Sequence, residues 1–404
     1  MKSQLRFFLP MLAVLAVAAC NAGGASNMPS SPNQSSFSTQ PIPQWQAKHL
    51  ARRACPDAPL GYMHCDVLIE SKTGAGPAAV PGLTPANLQA RYNLPSSKDG
   101  AGQVVAIVDA YDNANAASDL AAYRSYFDLG TAKFTKYNQE GQKKNYPQGN
   151  SGWGVEEDLD IEMVSASCPK CTIYLIESND NSGSNLYAAD IEAVKLGAGI
   201  VSNSWGGGAG SASGGAFDKK GITYLASAGD DGYGMQDPAD YPTVVSVGGT
   251  LLSVASGSKF TETVWPDSGG GCSVVNKPSW QKDRGCTFRT GNDVSAVAWH
   301  AEEYDTYGYS GSGWFTVGGT SVSSPLVAGM FALAGNSAKQ NGGENLWKLT
   351  KTELKKDLHY ITSGDVKHCP SRLSGTYLCD AGTKQFGEYS GPAGWGTPNG
   401  VGAL

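Results

Sequence analysis

Residues 317–325 read VGGTSVSSP and carry the hydroxyl group best placed for chemistry. An apolar run with helical spacing follows over residues 326–334, so Ser321 is expected at a helix N-terminus. Free N–H groups in the first turn of a helix can hold an oxyanion beside such a hydroxyl. A serine in this position is more often a simple helix cap, and the stretch alone favours the cap. A nucleophilic role therefore depends on a base and an acid elsewhere in the chain.

The histidines do not supply that base. None opens a helix with a small residue behind it, and the five are His49, His64, His300, His359 and His368. Asp109 ends an apolar run, where a serine–histidine–aspartate triad would hold its acid, but without a histidine it cannot complete that triad.

Carboxylates are the alternative, and residues 155–167 hold five: Glu156, Glu157, Asp158, Asp160 and Glu162. Residues four apart share a helix face, which pairs Glu156 with Asp160 and Asp158 with Glu162. Like charges repel at this spacing, so such a pair is tolerated where a proton is shared or a raised carboxyl pKa is needed. Periodicity does not choose between the pairs, and a solvated helix face is the simpler interpretation of the cluster.

Three motifs in a consistent order resemble those of the sedolisins, serine-carboxyl peptidases related in fold to subtilisin. The stretch GVEEDLDIEM resembles their Glu-x-x-Leu-Asp element, with Glu156 and Asp160 at the matching positions. Residues 226–232, ASAGDDG, are similar to their Ser-Gly-Asp-x-Gly element, which makes Asp230 the oxyanion-hole aspartate. VGGTSVSSP resembles their Gly-Thr-Ser-x-x-x-Pro nucleophile turn and identifies Ser321 as the serine.

The resemblance runs from residue 83 to the C-terminus and implies an α/β, subtilisin-like three-layer fold with a largely parallel central sheet flanked by helices. The chain pattern agrees, because strand-like apolar runs alternate with helical segments. Strands are predicted at residues 104–108, 172–176, 199–204, 222–226 and 243–247, and helices at 115–127, 156–167 and 185–196. Small or acidic residues at the strand ends indicate a site at the carboxyl edge of the sheet.

The chemistry implied for these residues is serine-type peptide hydrolysis in which carboxyl groups transfer the protons. Ser321 would attack the carbonyl, Glu156 would move the proton and Asp160 would orient Glu156. Asp230 must be protonated to donate to the oxyanion. Because unperturbed carboxyls titrate near ~4, we expect an endopeptidase with an acidic pH optimum. A glycosidase with paired carboxylates would leave the Ser321 turn unexplained.

Substrate binding is expected to use the backbone of Ser204, Trp205 and Gly206, which resemble the segment that pairs with an extended peptide in sedolisins. Trp205 is equally compatible with a packing role. The glycine run at residues 206–210 lacks the GxGxxG spacing of a dinucleotide site.

Sedolisins also bind one calcium ion near the C-terminus through two aspartates, and this chain has Tyr360 and Ser390 at those positions. Losing both carboxylates removes the charge that selects calcium, so no metal and no other cofactor is expected. The nearby carboxylates that could substitute are Asp357, Asp365, Asp380 and Glu388.

The N-terminal residues predict export. A basic start precedes an apolar stretch at residues 7–19 of the length of a signal-peptide core, and Val17-Ala18-Ala19-Cys20 resembles the lipobox of bacterial lipoproteins. We expect a signal peptide over residues 1–19 and lipidation of Cys20 in the cell envelope, with an ordinary cleavage site as the alternative. Residues 20–44 are a polar tether. Residues 45–70 hold a possible short helix and the first cysteine pair, and residues 71–81 are a linker. Together, residues 45–81 are interpreted as a small pre-domain or prosegment remnant, before a peptidase domain at 82–404.

Apart from Cys20, the cysteines fall into four sequence-near pairs: Cys55 with Cys65, Cys168 with Cys171, Cys272 with Cys286, and Cys369 with Cys379. An even number in an exported chain predicts disulfide bonds, and the local pairing is one of many connectivities. Cys168 and Cys171 also match a redox CxxC, although no thioredoxin-like strand and helix frame them.

The 404 residues carry a net charge of −6 without a basic stripe, which excludes a nucleic-acid binder. We therefore expect protein or peptide substrates, membrane contact only through a lipid anchor, and a monomer. Two function classes stay open: an exported peptidase, and a catalytically inactive surface lipoprotein that keeps the fold and binds peptides or protein partners. The presence of Ser321, Glu156, Asp160 and Asp230 favours the enzyme.

Overall fold

Strands and helices alternate along most of the chain in a computed structural model that describes residues 51–70, 82–208, 215–254, 259–308 and 313–404. The strands are β1 (Ala51–Arg53), β2 (His64–Cys65), β3 (Leu68–Glu70), β4 (Val104–Ala110), β5 (Lys133–Asn138), β6 (Thr172–Ser178), β7 (Ile200–Asn203), β8 (Trp205–Gly206), β9 (Thr223–Ser227), β10 (Val244–Val254), β11 (Phe260–Val264), β12 (Gly271–Asn276), β13 (Phe288–Gly291), β14 (Val294–Val297), β15 (Trp299–Tyr304), β16 (Trp314–Gly318), β17 (Leu358–His359) and β18 (Thr397–Pro398). The helices are α1 (Pro85–Arg91), α2 (Ala116–Tyr126), α3 (Ser151–Ser167), α4 (Gly183–Lys195), α5 (Thr320–Ala334), α6 (Glu344–Lys348) and α7 (Lys351–Asp357).

The central sheet has eight strands in the order β11-β10-β9-β7-β4-β6-β5, with β14 also paired to β10. Every pair from β10 to β5 is parallel, whereas β11 is antiparallel to β10. Helices pack against this sheet and bury its strands, as parallel sheets require. The α/β fold predicted from the alternating pattern is confirmed.

The predicted elements are present, but several of their ends differ. Strand β10 continues to Val254, because its antiparallel partner β11 prolongs the ladder beyond the apolar run. Helix α3 begins at Ser151 and is capped by the Asn150 side chain, which accepts hydrogen bonds from Gly152 N and Trp153 N at 2.9 and 3.2 Å. The two glycines in its first turn mask this start in the sequence.

Residues 51–70 form the strands β1, β2 and β3 rather than the short helix expected there. Strand β3 pairs antiparallel with β1 and with β16, and β16 pairs in turn with β15. Strand β2 pairs antiparallel with β8. Residues 51–70, part of the expected pre-domain, are therefore joined by strand pairing to the rest of the described chain. The signal peptide, Cys20, the tether and the linker at residues 71–81 lie outside the described residues.

All four predicted cysteine pairs are disulfide bonded in the structure. Cys168 and Cys171 are both buried and join the end of α3 to the start of β6, which suits a structural role better than a redox one.

Among the helices that the structure describes, none combines the length and the apolarity needed to cross a membrane.

Candidate active site

Ser321 lies in the first turn of α5, which begins at Thr320 and not at residue 326, where the apolar run starts. Gly319 precedes the helix with a φ of 120°, a backbone conformation that favours glycine. Pro325 lies inside the helix and lacks the N–H that would bond to the Ser321 carbonyl. The Gly-rich turn and the early helix start place Ser321 at the helix N-terminus, where Thr320 N donates to Asp230 Oδ1 at 2.8 Å and Val322 N donates to the Gly319 carbonyl oxygen at 3.1 Å.

The five carboxylates of α3 are all completely buried, so the solvated helix face considered from the sequence is wrong. Helix α3 packs closely along α5. At Gly329 of α5 an added Cβ would lie only 2.0 Å from Ser167 Oγ of α3. This close approach brings the acidic face of one helix against the helix that carries Ser321.

Glu156 and Asp160 are the pair that the structure turns toward Ser321. Burial, the charge of Asp160 and the charge of Asp109 raise the pKa of Glu156 well above its usual value, and a hydrogen bond with Ser321 opposes them. Burial and the charge of Asp109 likewise raise the pKa of Asp160, and its neighbours Ser204 and Glu156 oppose this. Two carboxyls in this arrangement share a proton rather than ionise together.

The contact between Ser321 and Glu156 is loose. Within the part of the chain that the structure describes, neither Glu156 oxygen has a hydrogen bond of full geometry. Ser321 Oγ donates instead to the Ser204 carbonyl oxygen at 3.3 Å. Catalytic hydrogen bonds of this kind tighten when the reaction complex forms.

Asp158 and Glu162, the other pair, have partners away from Ser321. Asn113 Nδ2 donates to Asp158 Oδ2 at 2.7 Å, and Tyr304 N donates to Glu162 Oε2 at 3.1 Å. Burial, Asp305 and Asp119 raise the pKa of Asp158. These two carboxyls therefore bind the chain after β4 and the end of β15, away from the nucleophile.

Three buried carboxylates could in principle hold a metal ion, because Asp119, Asp158 and Asp305 each have an oxygen within 4.8 Å of the other two. Protein donors already bind each of them: Asn113 binds Asp158, Thr306 N binds Asp119 at 2.8 Å, and Gly308 N binds Asp305 at 2.8 Å. These three carboxylates act as hydrogen-bond acceptors from neighbouring groups of the chain.

Asp230 follows β9 and reaches the start of α5. Thr320 donates to Asp230 Oδ1 from its backbone N at 2.8 Å and from Oγ1 at 2.9 Å. Among the described residues, Asp230 Oδ2 has no hydrogen-bond partner. Burial and the charge of Asp66 raise the pKa of Asp230 well above its usual value, although the bonds from Thr320 and the charge of Arg53 oppose this. A protonated Oδ2 can therefore donate to an oxyanion beside Ser321.

Asp109 joins this carboxyl set at the end of β4. It is completely buried, its oxygens have no hydrogen-bond partner in the described residues, and burial raises its pKa to about 8. Its charge in turn raises the pKa of Glu156 and Asp160. The position of Asp109 at the end of an apolar strand is the sequence signal for a site residue, but that signal indicates a histidine partner and not a set of carboxyls.

Ser204, Trp205 and Gly206 lie along an edge that is already occupied. The strand partner of Trp205 and Gly206 is β2, a segment of the same chain. The Trp205 side chain is completely buried and donates from Nε1 to the Val108 carbonyl at 2.8 Å. This favours packing over a subsite wall for the indole, and the backbone of the segment pairs with residues 64–66 of the same chain.

Two residues near Ser321 were missed by sequence reasoning. Thr320 belongs to the Gly-Thr-Ser motif, which was the available signal. Asp66 carried no signal, because only the folding of residues 51–70 across the site brings it to Asp230.

The positions of the calcium aspartates do not fit a calcium ion. Ser390 N donates to Gly394 O at 3.0 Å, and its hydroxyl accepts from Ala393 N at 3.4 Å, so this side chain stabilises its own turn. Tyr360 adds no carboxylate. Asp365 and Asp380 face each other across a β-bridge, but Asp380 Oδ1 already accepts from Gly382 N at 2.7 Å.

The fold and the serine at a helix N-terminus define a subtilisin-like α/β protein. The family model described as the subtilase family matches residues 139–369, more than half of the chain, and the protein belongs to that family. Kumamolisin from Bacillus sp. (strain MN-32) is 31% identical over 294 residues, which are 63% of this chain and 52% of the relative. Sedolisin from Pseudomonas sp. (strain 101) is 24% identical over 368 residues, which are 80% of this chain and 60% of the relative. The chain thus spans about half the length of the first of these relatives.

Among solved structures, Pseudomonas sedolisin, described as a serine-carboxyl proteinase complexed with two molecules of pseudo-iodotyrostatin, is similar with a TM-score of 0.65. It is 23% identical, and the alignment covers 80% of this chain and 96% of that one. This likeness shows the subtilisin-like fold. With the two relatives, it confirms the resemblance to sedolisins that the three motifs indicated.

Proposed function

We propose that this protein is an exported serine-carboxyl endopeptidase that hydrolyses peptide bonds at acidic pH. The observation that carries the proposal is the convergence of Ser321 with the buried pair Glu156 and Asp160 on one side and Asp230 on the other. Membership of the subtilase family supports a serine-type hydrolase.

In this mechanism Ser321 Oγ attacks the carbonyl carbon of the substrate while Glu156 accepts the hydroxyl proton. Asp160 holds Glu156 in position through the proton they share. Asp230 Oδ2 and the Ser321 N–H donate to the developing oxyanion. Glu156 then gives its proton to the leaving amine. Activity requires the Glu156–Asp160 pair to hold a single proton, so that one of its carboxyls is ionised, while Asp230 is still protonated. This confines activity to the acid side of the pKa of Asp230.

Export is supported by the four disulfide bonds, which are typical of oxidising compartments. The signal peptide and a lipidated Cys20 would tether the enzyme to the cell envelope or release it outside the cell. Protein or peptide substrates, the absence of nucleic-acid or metal partners and a monomeric state complete the proposal.

A catalytically inactive surface lipoprotein that binds peptides or protein partners is the second candidate. The observation in its favour is that β2 pairs with β8, so the chain itself covers the edge where a substrate would pair. A permanently covered edge would leave the fold without turnover.

The test is hydrolysis of a denatured protein at about pH 4 by the native chain and by Ser321→Ala. Ser324→Ala is the matched control, because Ser324 is a buried hydroxyl in the same helix that bonds to Ser202. We expect Ser321→Ala to lose at least about a thousandfold in rate and the control to stay active. Equal activity of all three rejects the mechanism. Equal inactivity, with all three folded by circular dichroism, supports the second candidate.

A further inference from the structure

The chain from β2 to β3 crosses the site as an extended strand. Strand β2 pairs antiparallel with β8, and beyond it Asp66 N donates to the Ser204 carbonyl oxygen at 3.1 Å. Strand β3 then pairs antiparallel with β16, with Leu68 opposite Gly318. Backbone pairing on both sides of a nucleophile turn is how a peptide substrate is held by β-augmentation.

Asp66 is the residue of this strand that meets the reacting groups. The Ser204 carbonyl oxygen accepts from Asp66 N at 3.1 Å and from Ser321 Oγ at 3.3 Å, so the serine hydroxyl lies next to the Asp66 backbone. A Cβ added to Gly319 would lie 1.9 Å from the Asp66 carbonyl oxygen and 2.8 Å from Asp230 Oδ2. The Asp66 carbonyl oxygen is therefore beside the carboxyl that would donate to an oxyanion.

The Asp66 side chain is completely buried in a polar pocket. Its Oδ2 accepts hydrogen bonds from Ser227 Oγ at 2.7 Å and from Gln236 Nε2. His64, two residues earlier on the same strand, has Nε2 at 3.3 Å from Asp66 Oδ1. The two groups outside this strand that bond to the carboxylate, Ser227 Oγ and Gln236 Nε2, are both hydrogen-bond donors.

Gln236 is held in this role by its surroundings. Its Nε2 also donates to the Ser227 carbonyl oxygen at 3.1 Å, which directs the amide toward Asp66. The side chain lies against Gly206 and Gly229, where an added Cβ would come within 2.0 Å of Gln236 Cδ and 2.9 Å of Gln236 Oε1. The pocket therefore adjoins both the substrate-pairing strand β8 and the chain that leads to Asp230.

We propose that Ser227 and Gln236 form the pocket for the residue before the cleaved bond, that this pocket selects an acidic side chain, and that Asp66–Val67 is an internal cleavage site. The inference rests on the proposed peptidase function. An acidic side chain replaces its hydrogen bonds to water with bonds from Ser227 and Gln236. A leucine there leaves the Ser227 hydroxyl and one N–H of the Gln236 amide buried without this acceptor, which selects against it.

At the internal site Ser321 Oγ forms an ester with the Asp66 carbonyl carbon as the bond to the Val67 nitrogen breaks. The proton of the hydroxyl passes through Glu156 to that nitrogen, and water then hydrolyses the ester and restores Ser321. The products are a new N-terminus at Val67 and a carboxylate at Asp66. Cys55 and Cys65 both precede the cut, so their disulfide stays within the released fragment and does not hold it in the cleft.

The experiment has two parts. The full chain and Ser321→Ala are incubated at about pH 4, and mass spectrometry follows the appearance of an N-terminus at Val67. The acid-treated chain is then assayed on peptides with the sequence of residues 62–69, serine replacing the cysteine, and with aspartate, asparagine or leucine before the cleaved bond. We expect the Val67 terminus only in the native chain, and kcat/KM for aspartate about a hundredfold or more above that for leucine.

Gln236→Leu tests the pocket itself, with Gln340→Leu as the control because both glutamines are 8% exposed and Gln340 bonds to Asn336 instead. Gln236→Leu should lower kcat/KM for the aspartate peptide to about that for the leucine peptide, and an unchanged circular dichroism spectrum shows that the variant folds. Ser321-dependent hydrolysis without an acidic preference overturns the pocket and leaves the peptidase function intact. The absence of any Ser321-dependent hydrolysis overturns both.

Discussion

Thr320 donates two hydrogen bonds to one oxygen of Asp230, from its backbone N at 2.8 Å and from Oγ1 at 2.9 Å. Thr320 immediately precedes Ser321, so the neighbour of the nucleophile determines which oxygen of Asp230 is used as an acceptor. The other oxygen, Oδ2, is then the one that carries the proton. The oxyanion donor and the nucleophile are in this way positioned by the same helix start.

Replacing Asp230 by asparagine tests this arrangement. An amide oxygen can still accept from Thr320, while the NH2 group donates at every pH. We expect Asp230→Asn to keep measurable activity and to lose the alkaline fall in kcat/KM that ionisation of Asp230 causes. Asp230→Ala should lose about 10²–10³-fold at all pH values, because the donor is gone. The measurement is kcat/KM against pH, and an unchanged alkaline limb in Asp230→Asn contradicts the assignment.

Two glutamates on α3 provide a matched comparison of the carboxyl pairs. Glu156 faces Ser321, whereas Glu162 accepts a hydrogen bond from Tyr304 N at 3.1 Å. We expect Glu156→Gln to lower kcat by about 10²–10⁴-fold, because it removes the general base, and Glu162→Gln to remain active. Thermal unfolding of both variants separates loss of activity from loss of folding. Similar losses of kcat in two equally stable variants reject Glu156 as the base.

Stability is expected to be greatest in acid. Burial raises the pKa of Asp109 to about 8, and burial together with neighbouring acids raises the pKa of Glu156, Asp160 and Asp230. In the unfolded chain these groups titrate near ~4, so above that value the folded state binds more protons than the unfolded state. The free energy of unfolding is therefore highest below pH ~4 and falls as the pH rises toward the raised pKa values.

Urea unfolding at several pH values between about 4 and 8 measures this dependence. Asp109→Asn should make the decline shallower by up to about 1.4 kcal/mol per pH unit, the contribution of one proton. A free energy of unfolding that rises across this range would show that these carboxyls are ionised in the folded protein.

No calcium dependence is expected near the C-terminus, because Tyr360 and Ser390 stand where carboxylates would be needed. A chelator should leave the melting temperature of the native chain unchanged. In the double variant Tyr360→Asp/Ser390→Asp, we expect calcium to raise the melting temperature, since the two charges are restored. Elemental analysis that finds stoichiometric calcium in the purified native chain contradicts the prediction.

The sequence by itself determined the strand and helix alternation and the type and order of the candidate site residues, and it favoured a local pairing of the cysteines that the structure then showed. These features depend on local spacing. A hydrophobic period of two residues indicates a strand and a period of 3.6 residues a helix, and Ser321, Glu156 and Asp230 each lie in a short motif of their own. The start of α5 at Thr320 was less accessible, because Pro325 and the glycines before it weaken the local helical signal.

The tertiary structure decided which of the two carboxylate pairs faces Ser321. Both pairs flank the same apolar face, so periodicity could not separate them. The motif resemblance indicated Glu156 and Asp160, and the packing of α3 against α5 turns this pair toward Ser321. It also decided the place of residues 51–70, because their strand partners lie far away in the sequence. The burial that raises the carboxyl pKa values has the same origin: it is produced by the whole fold and cannot be read from any single segment.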